Sequence, residues 1–242
     1  MPLATEKQIL IENNGSNILK TMDLKDYEYY RTDLGVLYHG DCLKIMPELE
    51  PVDLVLTDPP YGIGEDGGLK ARYRKGDGRT KGIIKHEKMK WDSKRPPKRC
   101  FELIRRTKLI MIFGGNYFAD LLPVSSGWLY WDKQIGGDFS DGELIYTNRN
   151  GALRSISMHP FTGLRGGKDR VHPTQKPVGL MQWCIGFSNG AQKILDPFLG
   201  SGTTAIACER LNRRWIGIEI EEKYCKISAK RIEKERSQLK LW

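Results

Sequence analysis

At 242 residues, 39% of them hydrophobic and 29% charged, the chain can bury the core of one α/β domain and has the composition of a soluble globular protein. No apolar run approaches the ~20 residues of a membrane span. Residues 1–20 lack the basic-then-apolar pattern of a secretory signal, so a cytoplasmic protein is expected. The formal net charge of +9 is unevenly placed. Residues 62–100 hold 13 Lys/Arg against 5 Asp/Glu, and residues 148–176 hold 6 against 1. Glycines, Tyr73 and Trp91 are interspersed in the first of these segments, a composition suited to nucleic-acid phosphates. The five cysteines include no C-x-x-C pair and the four histidines show no ligand spacing beside them, so neither a disulfide nor a structural metal is expected.

In chain order, residues 1–34 read as an N-terminal arm without a clear period. A strand over 35–39 ends at Gly40-Asp41, and 42–49 reads as a short helix with Leu43, Met46 and Leu49 on one side. A buried strand over 52–56 meets two prolines, which remove backbone donors and stop it. The polar, glycine-rich stretch 62–100 reads as a basic insertion. Beyond it a helix starts at Phe101, a strand covers 109–113, and Asn116 is placed to cap a helix running to Leu122. Strands are expected over 127–132, 143–147 and 154–157, a helix over 177–187 and a strand over 193–196. A glycine turn then opens a helix over 205–211, followed by a strand over 215–219. The tail from Glu222 keeps Cys225, Ala229 and Ile232 at helical spacing. Strands alternating with helices predict one α/β domain over 1–242.

Two stretches carry candidate chemistry. Asp58-Pro59-Pro60-Tyr61 sets a carboxylate and an aromatic ring in a rigid turn at a strand's carboxyl end, where open α/β sheets place their ligands. The plain alternative is a strand-terminating turn with a solvated Asp and a packing Tyr. Gly200-Ser201-Gly202-Thr203-Thr204-Ala205 fits G-x-G-x-x-[GA] between a strand and a helix. Glu219 ends the next strand, where a carboxylate takes the hydroxyls of an adenosine ribose. Residues of this kind do not separate a nicotinamide cofactor from S-adenosylmethionine (SAM), nor exclude a tight turn beside a surface Glu.

Six stretches in order resemble the amino-group DNA methyltransferases, which methylate N6 of adenine or N4 of cytosine. They are Gly40 to Leu43, Thr57 to Gly62, Phe113 to Asn116, His172 to Pro177, Asp196 to Thr204 and Gly217 to Glu219. Because Asp58-Pro59-Pro60-Tyr61 precedes the glycine turn, the chain looks like the circularly permuted β group. The resemblance implies a SAM-dependent methyltransferase (Rossmann-like) α/β fold with a mostly parallel seven-stranded sheet and helices on both faces. By the same resemblance, Asp196, Pro197, Phe198, Gly200, Ser201, Gly202, Thr203 and Thr204 would wrap the methionine part of SAM. Glu219 would take the ribose, Asp41 and Cys42 the adenine, and Thr174 and Lys176 the methionine carboxylate, with Asp58 bordering both cofactor and base. Recognition of DNA would fall near residues 150–170, with the 62–100 insertion sharing that role.

The expected reaction is transfer of a methyl group to N6 of a flipped-out adenine in double-stranded DNA. Asp58 and the Pro59 carbonyl would accept the two amino hydrogens, Pro60 would stiffen the turn and Tyr61 would stack on the base. Asp at the first position leans towards adenine; N4-cytosine methylation is the alternative. An RNA or protein methyltransferase fits less well, since those place the glycine turn before their P-P-Y. A silent DNA-binding module is opposed by the intact Asp58. Cytosine C5 chemistry needs a Pro-Cys nucleophile, which the chain lacks. The resemblance admits a cognate restriction endonuclease and a homodimer as partners.

Overall fold

Leu54–Thr57 is buried at every position, the mark of a strand covered on both faces, and it sits at the centre of the sheet that organises the protein. The computed structural model describes residues 8–13, 16–21, 23–64, 92–135, 140–161 and 175–239. Strands β1 (Gln8–Asn13) and β2 (Ser16–Thr21) form a separate antiparallel hairpin. Then come β3 (Glu28–Arg31), β4 (Gly35–His39), helix α1 (Cys42–Ile45), β5 (Leu54–Thr57), α2 (Lys98–Ile104) and β6 (Leu109–Phe113). Strands β7 (Leu129–Asp132), β8 (Gly142–Thr147) and β9 (Arg154–Ser157) precede α3 (Val178–Gly186). The chain closes with β10 (Lys193–Asp196), α4 (Thr203–Arg210), β11 (Arg214–Glu219) and α5 (Glu222–Leu239).

Nine described strands form the main sheet, in the order β3-β4-β11-β10-β5-β6-β8-β7-β9. The late strands β10 and β11 insert between the early strands β4 and β5. The run from β4 to β6 is parallel throughout, so all five carboxyl ends reach one edge. Strand β8 pairs antiparallel with β6 and brings its amino end to that same edge. Side chains alternate across the sheet with period 2. Leu54 and Leu56 of β5, with Met111 and Phe113 of β6, join a core under α3, α4 and α5. Val55, Ile110 and Ile112 join a core under α1 and α2 that includes Ile45, Phe101 and Ile104. The two cores give helices on both faces, as expected. All five cysteines are buried and unbridged.

Several details differ from the expectation. The sheet has nine described strands instead of seven, because the short β3 and β9 extend its two edges. Within the 1–34 arm, β3 pairs with β4 and so belongs to the domain. The 62–100 insertion lies largely outside the described residues, and its last three residues already belong to α2. Asn116 caps no α-helix: Gly114, left-handed at φ 62°, instead starts a 3-10 turn over Gly115–Phe118. In α5, fully buried Ser228 faces inward where Ala229 was expected. No described helix is long and apolar enough to cross a membrane.

Leu56 is fully buried in the central strand. Leu56→Ala should therefore cost about 2–5 kcal/mol in urea unfolding, and a loss below about 1 kcal/mol would contradict this placement of the core.

Candidate active site

The parallel run places Asp41, Glu219, Asp196 and Asp58 just at or beyond the ends of four adjacent strands. Such a row of carboxylates repels itself unless each is given donors, and the structure shows how each is held.

Buried Asp196 accepts from the hydroxyls of Thr57 (2.7 Å) and Thr204 (2.6 Å) and from the Phe198 N–H (3.1 Å). It thereby ties the end of β5, the glycine turn and the start of α4 into one unit. Burial pushes its carboxyl up to about 6, against these hydrogen bonds. Gly200 and Gly202 are both left-handed, at φ 55° and 84°. A Cβ on Gly202 would also press on Ser228, 3.1 Å away. Helix α5 holds the turn from behind: the Ser228 hydroxyl donates to the Gly200 carbonyl at 2.6 Å, and the Arg231 guanidinium donates to the Ser201 hydroxyl at 2.9 Å and to the Ser201 carbonyl. Glu219 accepts from the Gly200 N–H and the Glu221 N–H, each at 2.8 Å. Asp41 instead caps α1, accepting from the Leu43 N–H at 2.9 Å.

A cavity of about 350 Å³ opens along this turn, lined by Asp58, Pro60, Lys176, Asp196, Phe198, Gly200, Ser201, Thr203, Thr204 and Glu219. A smaller one of about 160 Å³ shares Pro60, Phe198 and Glu219 with it and is lined by Asp41, Cys42 and Pro197. Every described residue expected to meet the cofactor lines one of the two except Gly202, which shapes the turn. Thr174 lies outside the described residues. Pro59 is buried beneath the turn.

The other half of the site is a charge cluster. Lys176, just ahead of α3, is 7% exposed. Its ammonium donates to Asp58 Oδ2 at 2.6 Å and pairs with Glu143 Oε1 at 3.2 Å. The Tyr61 hydroxyl stands 2.6 Å from Asp58 Oδ1 and 2.5 Å from Glu143 Oε1. Lys133 reaches Glu143 Oε2 at 3.2 Å. Burial raises Asp58 above the usual carboxylate range, opposed by Lys176. Burial also works to raise Glu143, but Lys176 and Lys133 together hold it below that range. Burial would lower Lys176, but Asp58 and Glu143 outweigh it and keep it protonated. Burial and the two carboxylates push the Tyr61 phenol well up. Tyr61 stacks on half-exposed Tyr117, ring centroids 4.7 Å apart and planes 14° apart. This packing needs Gly114, where a Cβ would lie 2.4 Å from the Tyr61 ring.

Glu143 and Lys133 were missed in the sequence. Each borders a strand whose pairing partner decides which edge it reaches, and pairing is not written in local spacing. The one available signal was a charged residue opening the apolar run Leu144-Ile145-Tyr146.

A protein-family model described as a DNA methylase of the N6/N4 type matches residues 145–230, from β8 into α5. Type II methyltransferase M2.DpnII of Streptococcus pneumoniae is 28% identical over 86% of this chain and 92% of its own length. Type II methyltransferase M.HpaI of Haemophilus parainfluenzae is 27% identical over 81% of this chain and 73% of its own. Together these matches support an amino-group DNA methyltransferase. Solved structures share the fold. One is the M1.HpyAVI–SAM complex, with TM-score 0.54, 23% identity and coverage of 81% of this chain and 98% of that one. Another is the cytosine-N4-specific PvuII DNA methyltransferase, with TM-score 0.55, 17% identity and coverage of 87% and 93%.

The cavity residues fit SAM, the ligand of the M1.HpyAVI complex. A cavity of this size is in the range of small-ligand sites. The Glu219 carboxylate lines it with two N–H donors already bound, which leaves lone pairs for two ribose hydroxyls. Among the described residues no cluster of His, Cys, Asp and Glu could hold a metal ion.

Burial pushes Glu219 from the ordinary 4.5 up to about 7. A carboxyl with a raised folded pKa lends stability that is complete below its unfolded value and is lost as pH rises through the folded one. Glu219→Gln removes this dependence, so from pH 5 to pH 8 the variant should gain on the parent protein by up to ~3 kcal/mol. Urea unfolding at both pH values measures it. A difference between the two proteins that does not change with pH would contradict the assignment.

Proposed function

We propose that this protein transfers the methyl group of SAM to N6 of an adenine flipped out of double-stranded DNA at a specific site. The observation that carries the reading is the Asp58 carboxylate, which lines the cofactor cavity while standing in the Lys176–Glu143–Tyr61 cluster. An acceptor so placed faces both a cofactor in the cavity and a base entering beside Pro60.

An exocyclic amino nitrogen is a weak nucleophile because its lone pair is delocalised into the ring. Asp58 and the Pro59 carbonyl accept its hydrogens, draw the nitrogen towards tetrahedral geometry and aim the lone pair at the methyl group. SAM supplies that methyl as an electrophile with a neutral thioether leaving group. As the C–N bond forms, the C–S bond breaks, and the nitrogen gives up one proton to the acceptor side. Tyr117 makes against Tyr61 the parallel stack that a base would make, so the incoming base takes its place there. The target is unreachable inside a duplex and is extruded at a cost of a few kcal/mol. Phosphate contacts from the basic segments at 62–100 and 148–176 offset that cost. Asp at position 58 supports adenine over cytosine. The family relationship supports a cytoplasmic modification enzyme that works opposite a cognate endonuclease, and a homodimer is part of the same reading.

Asp58→Ala should lose at least ~10²-fold in methyl transfer to DNA while still binding SAM in calorimetry; near-normal turnover would contradict the role of Asp58. Mass analysis of nucleosides from DNA treated with the parent protein should show N6-methyladenine. N4-methylcytosine alone would replace the adenine reading, and methyl groups in RNA but not DNA would overturn it.

A further inference from the structure

We propose that Glu143 is a positioning residue for this reaction, a second carboxylate that shares one hydroxyl and one ammonium with Asp58 and so keeps Asp58 a strong acceptor for the amino group. The inference rests on the amino-methyltransferase reading above and adds a residue to it.

The geometry is that of a shared pair. A phenol has one hydrogen, yet the Tyr61 oxygen lies within 2.6 Å of carboxylate oxygens of both Asp58 and Glu143. Lys176 likewise touches both, at 2.6 and 3.2 Å. Glu143 is 10% exposed at the side chain, so its charge is not screened by water. A buried carboxylate is costly unless it is paired, and among the described residues Glu143 is paired by Lys176, Tyr61 and Lys133. From the surrounding elements, Asp58 faces Lys176, Tyr61, Glu143 and, from the end of β10, Asp196; Glu143 faces Lys133 as well.

Without Glu143, Lys176 would belong to Asp58 alone. A tight single ion pair makes a poor hydrogen-bond acceptor, because its lone pairs are already committed to the cation. Sharing the ammonium loosens that pair, and the anionic neighbour makes Asp58 more basic. Glu143 also shares the Tyr61 hydroxyl with Asp58, which fixes the plane of the ring. The two carboxylates are pushed in opposite directions by their surroundings, the pattern of a site that divides roles between two acids.

The test is single-turnover methyl transfer to DNA, from pH 5.5 to 9, by the parent protein, E143Q, E143D, Y61F and the double variant E143Q/Y61F. E143Q should fall ~10–100-fold on the plateau, with SAM affinity within about threefold. Its acid limb should move to lower pH, because a neutral neighbour no longer opposes ionisation of Asp58. E143D should recover part of the rate, and the double variant should lose less than the sum of the two single losses, since one hydrogen bond is common to both. Parent-like rates and pH profile in E143Q, or additive losses, would overturn the proposal. So would loss of SAM binding or of cooperative unfolding in E143Q, which would make Glu143 a structural ion pair. Absence of transfer by the parent protein would overturn the underlying reading instead, which keeps the two failures distinct.

Discussion

Everything at the functional edge of this protein answers to one constraint: carboxylates gathered at the ends of adjacent parallel strands must each be neutralised or hydrogen-bonded inside the fold. Parallel pairing from β4 to β6 forces Glu219, Asp196 and Asp58 towards one another. Each is relieved differently. Hydroxyls and a backbone N–H hold Asp196, two backbone N–H groups hold Glu219, and a buried ammonium holds Asp58. The division has a functional consequence. The two carboxylates bound by neutral donors shape and line the cavity along the glycine turn, while Asp58, bound by a cation, lines it too and in the proposed reaction stands beside the reacting groups. Only the last carries the flexible charge balance that acceptor chemistry needs.

Backbone geometry supports this arrangement from behind. Left-handed Gly202 and the α5 side chains Ser228 and Arg231 immobilise the turn between β10 and α4. Left-handed Gly114 gives Tyr61 room to stack and to point its hydroxyl at two carboxylates. A small shift in either turn would separate donors and acceptors that now lie within hydrogen-bond distance. The site is pre-organised by packing, which is what catalysis by orientation requires.

Most of the fold and half of the site were legible in the sequence, and the division has a physical cause. The strand at 54–57, the glycine turn and the acidic end of β11 are local features, written in apolar runs, prolines and glycines whose backbone preferences act over a few residues. The same is true of α5, although its inward face includes a serine that polarity alone would place outside. What was not legible depends on pairing across the sheet. Glu143 enters the site because β8 runs antiparallel beside β6, and Lys133 because β7 runs back again. The fate of Lys176 was hidden for the same reason. Its ammonium lies on Asp58 and Glu143, a contact that no local spacing records.

In the proposed reaction Asp58, held by Lys176 and Tyr61, receives the amino group of a base taken out of the duplex. Its most direct test is a structure of the protein with a non-reactive SAM analogue and a duplex carrying its methylation site. An extrahelical adenine is expected, with N6 within ~2.7–3.2 Å of an Asp58 carboxylate oxygen and of the Pro59 carbonyl. A target base still stacked in the helix, or an amino group directed away from Asp58, would contradict it.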